Sequence, residues 1–251
     1  MVEEEPVEAV DAAGERRPIN LLHAFSVAKR EDSENEDRWA AAPDGSAFAI
    51  CDGASVSFDS GPWAAILAQR FVADSEITPD WIGAAAVAYN QGRDRDAMPW
   101  MSQAAFDRGS FATLLGIEFL HQGQALRAMA IGDSLLAFID GSQVVRTIPY
   151  LIPEEFDASP QLISTSPAEN RTWDGDAIES CWHELNIASH EKPTLLMMTD
   201  ALGRWLLEQP GSDRVEVLLG IQDQEAFRQF VEKERQNGRM RRDDTTLLVI
   251  G

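Results

Sequence analysis

The sequence predicts a mixed α+β fold, and three observations predict it. Short apolar runs with two-residue alternation recur and end in tight-turn pairs such as Asp-Gly and Gly-Asp. Runs with apolar residues at helical spacing lie apart from them, near 60–107 and 203–236. No internal repeat or linker divides the 251 residues, so a single folded domain over 19–251 is expected.

The elements follow in order. Residues 1–18 carry Glu3, Glu4, Glu5, Glu8 and Asp11 with few large apolar groups, and are expected to be disordered. Leu22–Ala28 reads as a strand, then an acid-rich stretch leads to a strand over Trp39–Ala42. Asp44-Gly45 turns into Ser46–Cys51, a β-favouring run that stops at Asp52-Gly53. Ser60 as cap and Pro62 open a helix over Trp63–Ala73, and a second runs from Pro79 to about Gln91, with Thr78 or Asp80 near its cap. Ala97–Asp107 is a third helical piece. Trp63, Trp81 and Trp100 are read as core or helix–sheet packing.

From Gly109 strands dominate. Ser110–Phe119, Ala125–Ile131, Ser134–Ile139 and Gln143–Ile148 read as an antiparallel meander turned by His121-Gln-Gly123, Gly132-Asp133 and Asp140-Gly141. That reading places Asp133 at a hairpin tip. Residues 150–190 are loop-rich, with one strand near Glu179–Leu185. Thr194–Met198 is a buried strand, followed by a helix over Gly203–Glu208 for which Asp200 suits the N-cap. An amphipathic helix over Glu225–Gln236 stops at Gly238, and Thr245–Ile250 closes the chain as a strand.

Composition narrows the function classes. Hydrophobic content of 44% and charged content of 25% are those of an ordinary globular protein. The net charge of −21 argues against nucleic acid or an anionic membrane as partner, since both need positive patches. No apolar run approaches membrane-spanning length and no secretory leader is visible, so a cytoplasmic monomer is expected. Cys51 and Cys181 have no metal or redox spacing, and the four histidines are isolated.

The chemistry sits at strand ends. Asp52, Asp133, Asp200 and Asp243 occupy the ends or tips of apolar strands, and Glu36-Asp37 adds a fifth acidic site. Each also has a plain reading, Asp52-Gly53 as a turn and Asp200 as a cap. If the strands lie in facing sheets, these ends share one rim, where carboxylates repel unless protonated or bridged by cations. Oxygen ligands without His or Cys select Mg²⁺ or Mn²⁺ over structural zinc. A pair of such ions activates water for in-line attack at phosphorus. No nucleophile elbow, Cys-His pair or P-loop competes.

The ordered set of motifs resembles the metal-dependent serine/threonine protein phosphatases of the 2C type, over about Ala24 to Ile250, as a divergent, bacterial-like member. Asn35-Glu-Asp37 resembles the family's acidic segment and FAICDG its central Asp-Gly motif. Gly109-Ser-Phe-Ala-Thr113, Ala130-Ile-Gly-Asp-Ser134, Met198-Thr-Asp-Ala-Leu202 and Asp243-Asp-Thr-Thr246 follow in the family's order. The resemblance implies a four-layer α/β/β/α sandwich of two antiparallel sheets flanked by helices, with a metal centre at one end. It implies that Asp52 bridges two ions, that Asp200 and Asp243 ligate one, and that Glu36 and the Gly53 carbonyl serve the other. Asp37 supports from behind, and Asp133 matches a position that helps hold a third, weaker ion. It also implies a phosphorylated protein as substrate.

Several residues depart from that pattern. Ala54-Ser-Val56 replaces glycines, Ala201 replaces a glycine, and Asp244 replaces an asparagine. The family's substrate-phosphate arginine, four residues before the glutamate, falls on Asp32, leaving Lys29 or Arg30 to bind phosphate. No histidine follows Asp52-Gly53, so water must protonate a leaving group. The leading function is Mg²⁺- or Mn²⁺-dependent hydrolysis of phosphoserine and phosphothreonine. The alternative is a weak or inactive relative that binds phosphoproteins or regulators, and the blander one is an acidic sandwich whose aspartates are caps and turns.

Overall fold

A computed structural model describes residues 19–120, 123–190, 192–209 and 212–251. The acidic segment 1–18 and the start of the turn at His121 lie outside the described residues. Two five-stranded antiparallel sheets carry the chain. The first runs β1 (Leu21–Val27), β12 (Thr245–Ile250), β11 (Pro193–Met198), β7 (Leu135–Asp140) and β8 (Gln143–Ile148). The second runs β10 (Trp182–Asn186), β6 (Ala125–Ile131), β5 (Leu114–Leu120), β3 (Ala47–Cys51) and β2 (Arg38–Ala41). A small pair, β4 (Phe111–Ala112) with β9 (Ile163–Ser164), sits beside them.

Strand alternation builds the layers. In β3, Phe48 and Ile50 point between the sheets and meet Leu115, Ile117, Leu136, Phe138, Met197 and Leu248. Ala49 and Cys51 point the other way, toward Trp63, Leu67 and Phe71 of α1 (Ser60–Ala73) and Trp81 of α2 (Pro79–Asn90). On the far side, Leu135, Ala137 and Leu247 pack against Leu202, Trp205 and Leu206 of α5 (Asp200–Glu208). Phe227 and Val231 of α7 (Gln224–Gln236) complete that layer. The four-layer sandwich is therefore present, with its two sheets and both helical coats.

Several expectations need correction. The four-strand meander splits: β6 pairs with β5 and β10, whereas β7 pairs with β8 and β11, so Gly132-Asp133 is a crossing between sheets and not a hairpin tip. β7 is buried on both faces, which erases the alternation that would assign it to one sheet. Gly132 makes the crossing at φ +102, and an added Cβ would lie 2.5 Å from Thr113 Cγ2. The run at 110–119 is also broken, because Thr113 leaves the ladder between β4 and β5 to brace Asp52.

The helix starts differ too. Ser60 is the first residue of α1 and caps nothing; Asp59, at φ 49, holds the cap position without a side-chain capping bond, its carboxylate pairing instead with Arg93. Asp200 is the first residue of α5, behind Thr199, and is not its N-cap. The third helical piece divides into a short turn at Arg95–Ala97 and α3 (Trp100–Arg108), and Trp100 is 78% exposed, not packed in a core. Two helices go unread in the sequence, α4 (Gly175–Glu179) and α6 (Ser212–Leu219). His190 is not isolated, since Nδ1 lies 3.1 Å from Asp140 Oδ2.

Candidate metal centre

Asp52 begins where β3 ends, and its backbone is locked on both sides. Thr113 Oγ1 receives the Asp52 N–H at 2.8 Å, and the Thr113 N–H donates to the Asp52 carbonyl at 2.9 Å. The Thr113 hydroxyl also meets that of Ser134 at 3.0 Å, which ties this corner to the Asp133 crossing. Gly53 is required by closeness: an added Cβ would lie 2.9 Å from both the Glu36 carbonyl oxygen and Ser60 Cβ.

Asp37 is nearly inaccessible. Its Oδ2 accepts hydroxyl bonds from Thr246 at 2.7 Å and Thr199 at 3.1 Å, and its buried Oδ1 has no protein donor. Asp244 is buried as well and clasps two backbones, accepting Lys29 N–H at Oδ1 (2.7 Å) and Glu36 N–H at Oδ2 (2.6 Å). Asp200 Oδ1 accepts from Ala201 N–H at 2.5 Å, and Asp243 Oδ1 from Asp244 N–H at 2.9 Å.

These acids, distant in the chain, lie near enough to feel one another's charge. Burial, then the charges of Asp37, Asp200, Asp133 and Asp243, push the Asp52 carboxyl well above its ordinary range. Asp200 is pushed up to about 7 by burial and by Asp133 and Asp243, against the Ala201 N–H and the Arg241 charge. Asp37 is raised well above its ordinary range, chiefly by burial and then by the Asp244 and Asp200 charges, against the hydroxyls of Thr246 and Thr199. Asp133 and Asp243 are also raised, chiefly by burial.

Glu36 behaves oppositely. Burial works to raise it, but donors from Lys29, Ser60 and Ser55 hold it below the usual range. Lys29 Nζ lies 2.5 Å from Glu36 Oε2 and 2.6 Å from Ser55 Oγ, and Ser60 Oγ donates to Glu36 Oε1 at 2.7 Å.

The structure thus gathers Glu36, Asp37, Asp52, Gly53, Asp133, Asp200, Asp243 and Lys29. Arg30 is not among them: it is exposed, and its backbone N–H bonds Ser33 Oγ. The sequence reading missed the braces Thr113, Thr199 and Thr246 and the clasp of Asp244. It also missed Arg241, which pairs with Asp157 while its charge reaches Asp133 and Asp200. The two threonine-bearing motifs at 109–113 and 243–246 were visible; their hydroxyl partners lie across the fold and leave no local signal.

The donors are all oxygens, and mutual repulsion with an orphaned buried acceptor fits a hard divalent cation on the Asp52–Asp200–Asp243 side. Among the described residues, no three acidic, His or Cys side chains are drawn together tightly enough to cage an ion as they stand.

No family model and no curated relative matches the chain. Solved structures do. The Mycobacterium tuberculosis serine/threonine phosphatase PstP/Ppp aligns at 18% identity over 92% of this chain and 97% of its own, with TM-score 0.55. Serine/threonine phosphatase Stp1 from Staphylococcus aureus aligns at 15% identity over 100% and 99%, with TM-score 0.57. The PstP catalytic domain in complex with two manganese ions aligns at 19% identity over 92% and 97%, with TM-score 0.52. With its two facing antiparallel sheets and helical coats, the chain has the fold of the 2C-type serine/threonine phosphatases.

Proposed function

We propose that residues 19–251 form a Mg²⁺- or Mn²⁺-dependent phosphatase domain that hydrolyses phosphoserine and phosphothreonine on proteins. The observation that carries this reading is the convergence of Asp37, Asp52, Asp133, Asp200 and Asp243 from separate strand ends, against burial and mutual repulsion.

Asp52 would be the central ligand, with Asp200 and Asp243 on one side and Asp133 beside them. Glu36 and the Gly53 carbonyl form the other side, and Asp37 supports from behind. A bound divalent ion would lower the pKa of its water and neutralise charge building on phosphoryl oxygens. The chain's own residues position this chemistry. Thr113 fixes the Asp52 backbone, and Thr199 and Thr246 aim the Asp37 carboxylate. Lys29 is bound to Glu36, so in this reading the substrate phosphate is met by Arg241, whose charge reaches Asp133 and Asp200 and which would exchange its Asp157 partner for the phosphate. The leaving oxygen takes its proton from water.

Phosphate release from a phosphothreonine peptide, with and without Mn²⁺, tests this reading in wild type and Asp200→Asn. Metal-dependent release that Asp200→Asn abolishes is expected; release indifferent to both contradicts it. The Lys29–Glu36 pair favours a second reading, a phosphoprotein-binding module with little or no turnover. A folded protein that binds phosphopeptide without taking up Mn²⁺ would support that instead.

A further inference from the structure

The side of the centre around Glu36 is already filled by a cation that belongs to the chain. Glu36 Oε2 faces Lys29 Nζ at 2.5 Å, and Oε1 accepts from Ser60 Oγ at 2.7 Å, so both oxygens are engaged. Ser55 Oγ lies 2.6 Å from Nζ. The pair is half-sheltered, with the two side chains 24% and 19% exposed.

Its backbone is pre-set. One carboxylate, Asp244, accepts the N–H groups of both Lys29 (2.7 Å) and Glu36 (2.6 Å), fixing the two residues relative to each other. A carboxylate offers an acceptor to each, whereas an asparagine side chain has a single acceptor oxygen. Ser55 gives the ammonium an acceptor that a glycine lacks. Ser55 and Asp244 are two of the positions that break the motif pattern, and the displaced basic residue, Lys29, is a third. Ser55 bonds the Lys29 ammonium and Asp244 the Lys29 backbone, so the departures meet at one lysine. That coincidence is hard to assign to drift at three unrelated sites.

We propose that the Lys29 ammonium stands in for one of the two divalent ions, so that the centre takes a single ion on the Asp52–Asp200–Asp243 side. This rests on the metal-dependent reading above and specifies how many ions it uses. Gly53 packs against the Glu36 backbone, where an added Cβ would lie 2.9 Å from the Glu36 carbonyl oxygen. Of the two groups expected to serve the second ion, the Glu36 carboxylate is thus held by the ammonium, and Gly53 lies against the Glu36 backbone. A divalent ion entering there competes with a tethered charge at high local concentration.

The test is the ion count, read by calorimetric Mn²⁺ titration and by electron paramagnetic resonance on the full chain. Wild type is expected to take up one ion with the spectrum of an isolated centre. Lys29→Met is expected to take up two, with broadening from spin coupling, and Lys29→Arg one. Should Lys29→Met fail to fold, Ser55→Gly keeps every charge and removes one acceptor of the ammonium. It is expected to lower the concentration at which a second ion enters by about tenfold, equivalent to about 1.4 kcal/mol. A second ion entering wild type as readily as it enters Lys29→Met overturns the inference and leaves the phosphatase reading standing. One ion in both wild type and Lys29→Met, or no response to Ser55→Gly, also overturns it. No ion in any form overturns the metal-dependent reading and this inference together.

Discussion

On the Asp52 side of the rim, burial and neighbouring carboxylates push the carboxyls toward their protonated forms, whereas on the Glu36 side an ammonium at 2.5 Å and two hydroxyls hold the carboxylate ionised. Both sides consist of acids withdrawn from water, so burial alone does not distinguish them. The counter-charge does. Where the chain supplies one, the acid is settled; where it supplies only more acids, the site is left with an electrostatic demand that a divalent ion would meet.

The largest way to break this comparison is to remove the demand. Asp200→Asn is expected to lower metal-dependent phosphate release by about 10²–10³-fold, by analogy with losing one preorganised charge-stabilising group. The same change relieves repulsion at Asp52, so the metal-free protein is expected to melt no lower than wild type. A loss of stability matching the loss of activity would point to a structural aspartate instead.

The pH dependence of the metal-free protein sharpens the contrast. Asp200 titrates near 7 in the fold, against about 3.9 when unfolded, so between these values the folded state holds a proton that the unfolded chain has released. Stability is full below the lower value and falls as pH rises through the upper one, by on the order of 1–4 kcal/mol. Glu36, held low, contributes in the opposite sense: its share is present above its unfolded value and lost as pH falls through the folded one. Denaturation between pH 4 and 8, on a scale of about 1 kcal/mol steps, is expected to show the first trend dominating, and Mn²⁺ to flatten it. A metal-free stability that rises toward pH 8 would contradict this.

A smaller effect tests the clasp. Asp244→Asn leaves one of two N–H groups without its acceptor and is expected to destabilise by about 1–3 kcal/mol in chemical denaturation. Trp100→Ala, at a side chain 78% exposed, is expected to change stability by no more than about 0.5 kcal/mol. A larger loss would restore Trp100 to the packed role that helical spacing suggested.

Most of the fold was legible because its strands advertise themselves. β6, β8 and β12 fall where alternation and turn residues place them, and Asp52-Gly53 follows a run whose five residues are all buried. What stayed hidden was long-range. Which sheet receives β7 depends on pairing with β11, some sixty positions on, and nothing near Gly132 reveals it. Ser60 looked like a cap because capping uses the same hydroxyl that here serves Glu36. The acids of the rim could be picked out by their strand-end positions, but Lys29 could not be assigned to Glu36, because its placement rests on Asp244 at the other end of the chain.

The most direct test is a crystal structure with Mn²⁺, using anomalous scattering to locate the ion. The account predicts a peak bounded by Asp52, Asp200 and Asp243, with Lys29 still on Glu36. No peak there, or Asp52 and Asp243 turned to separate corners, would contradict it.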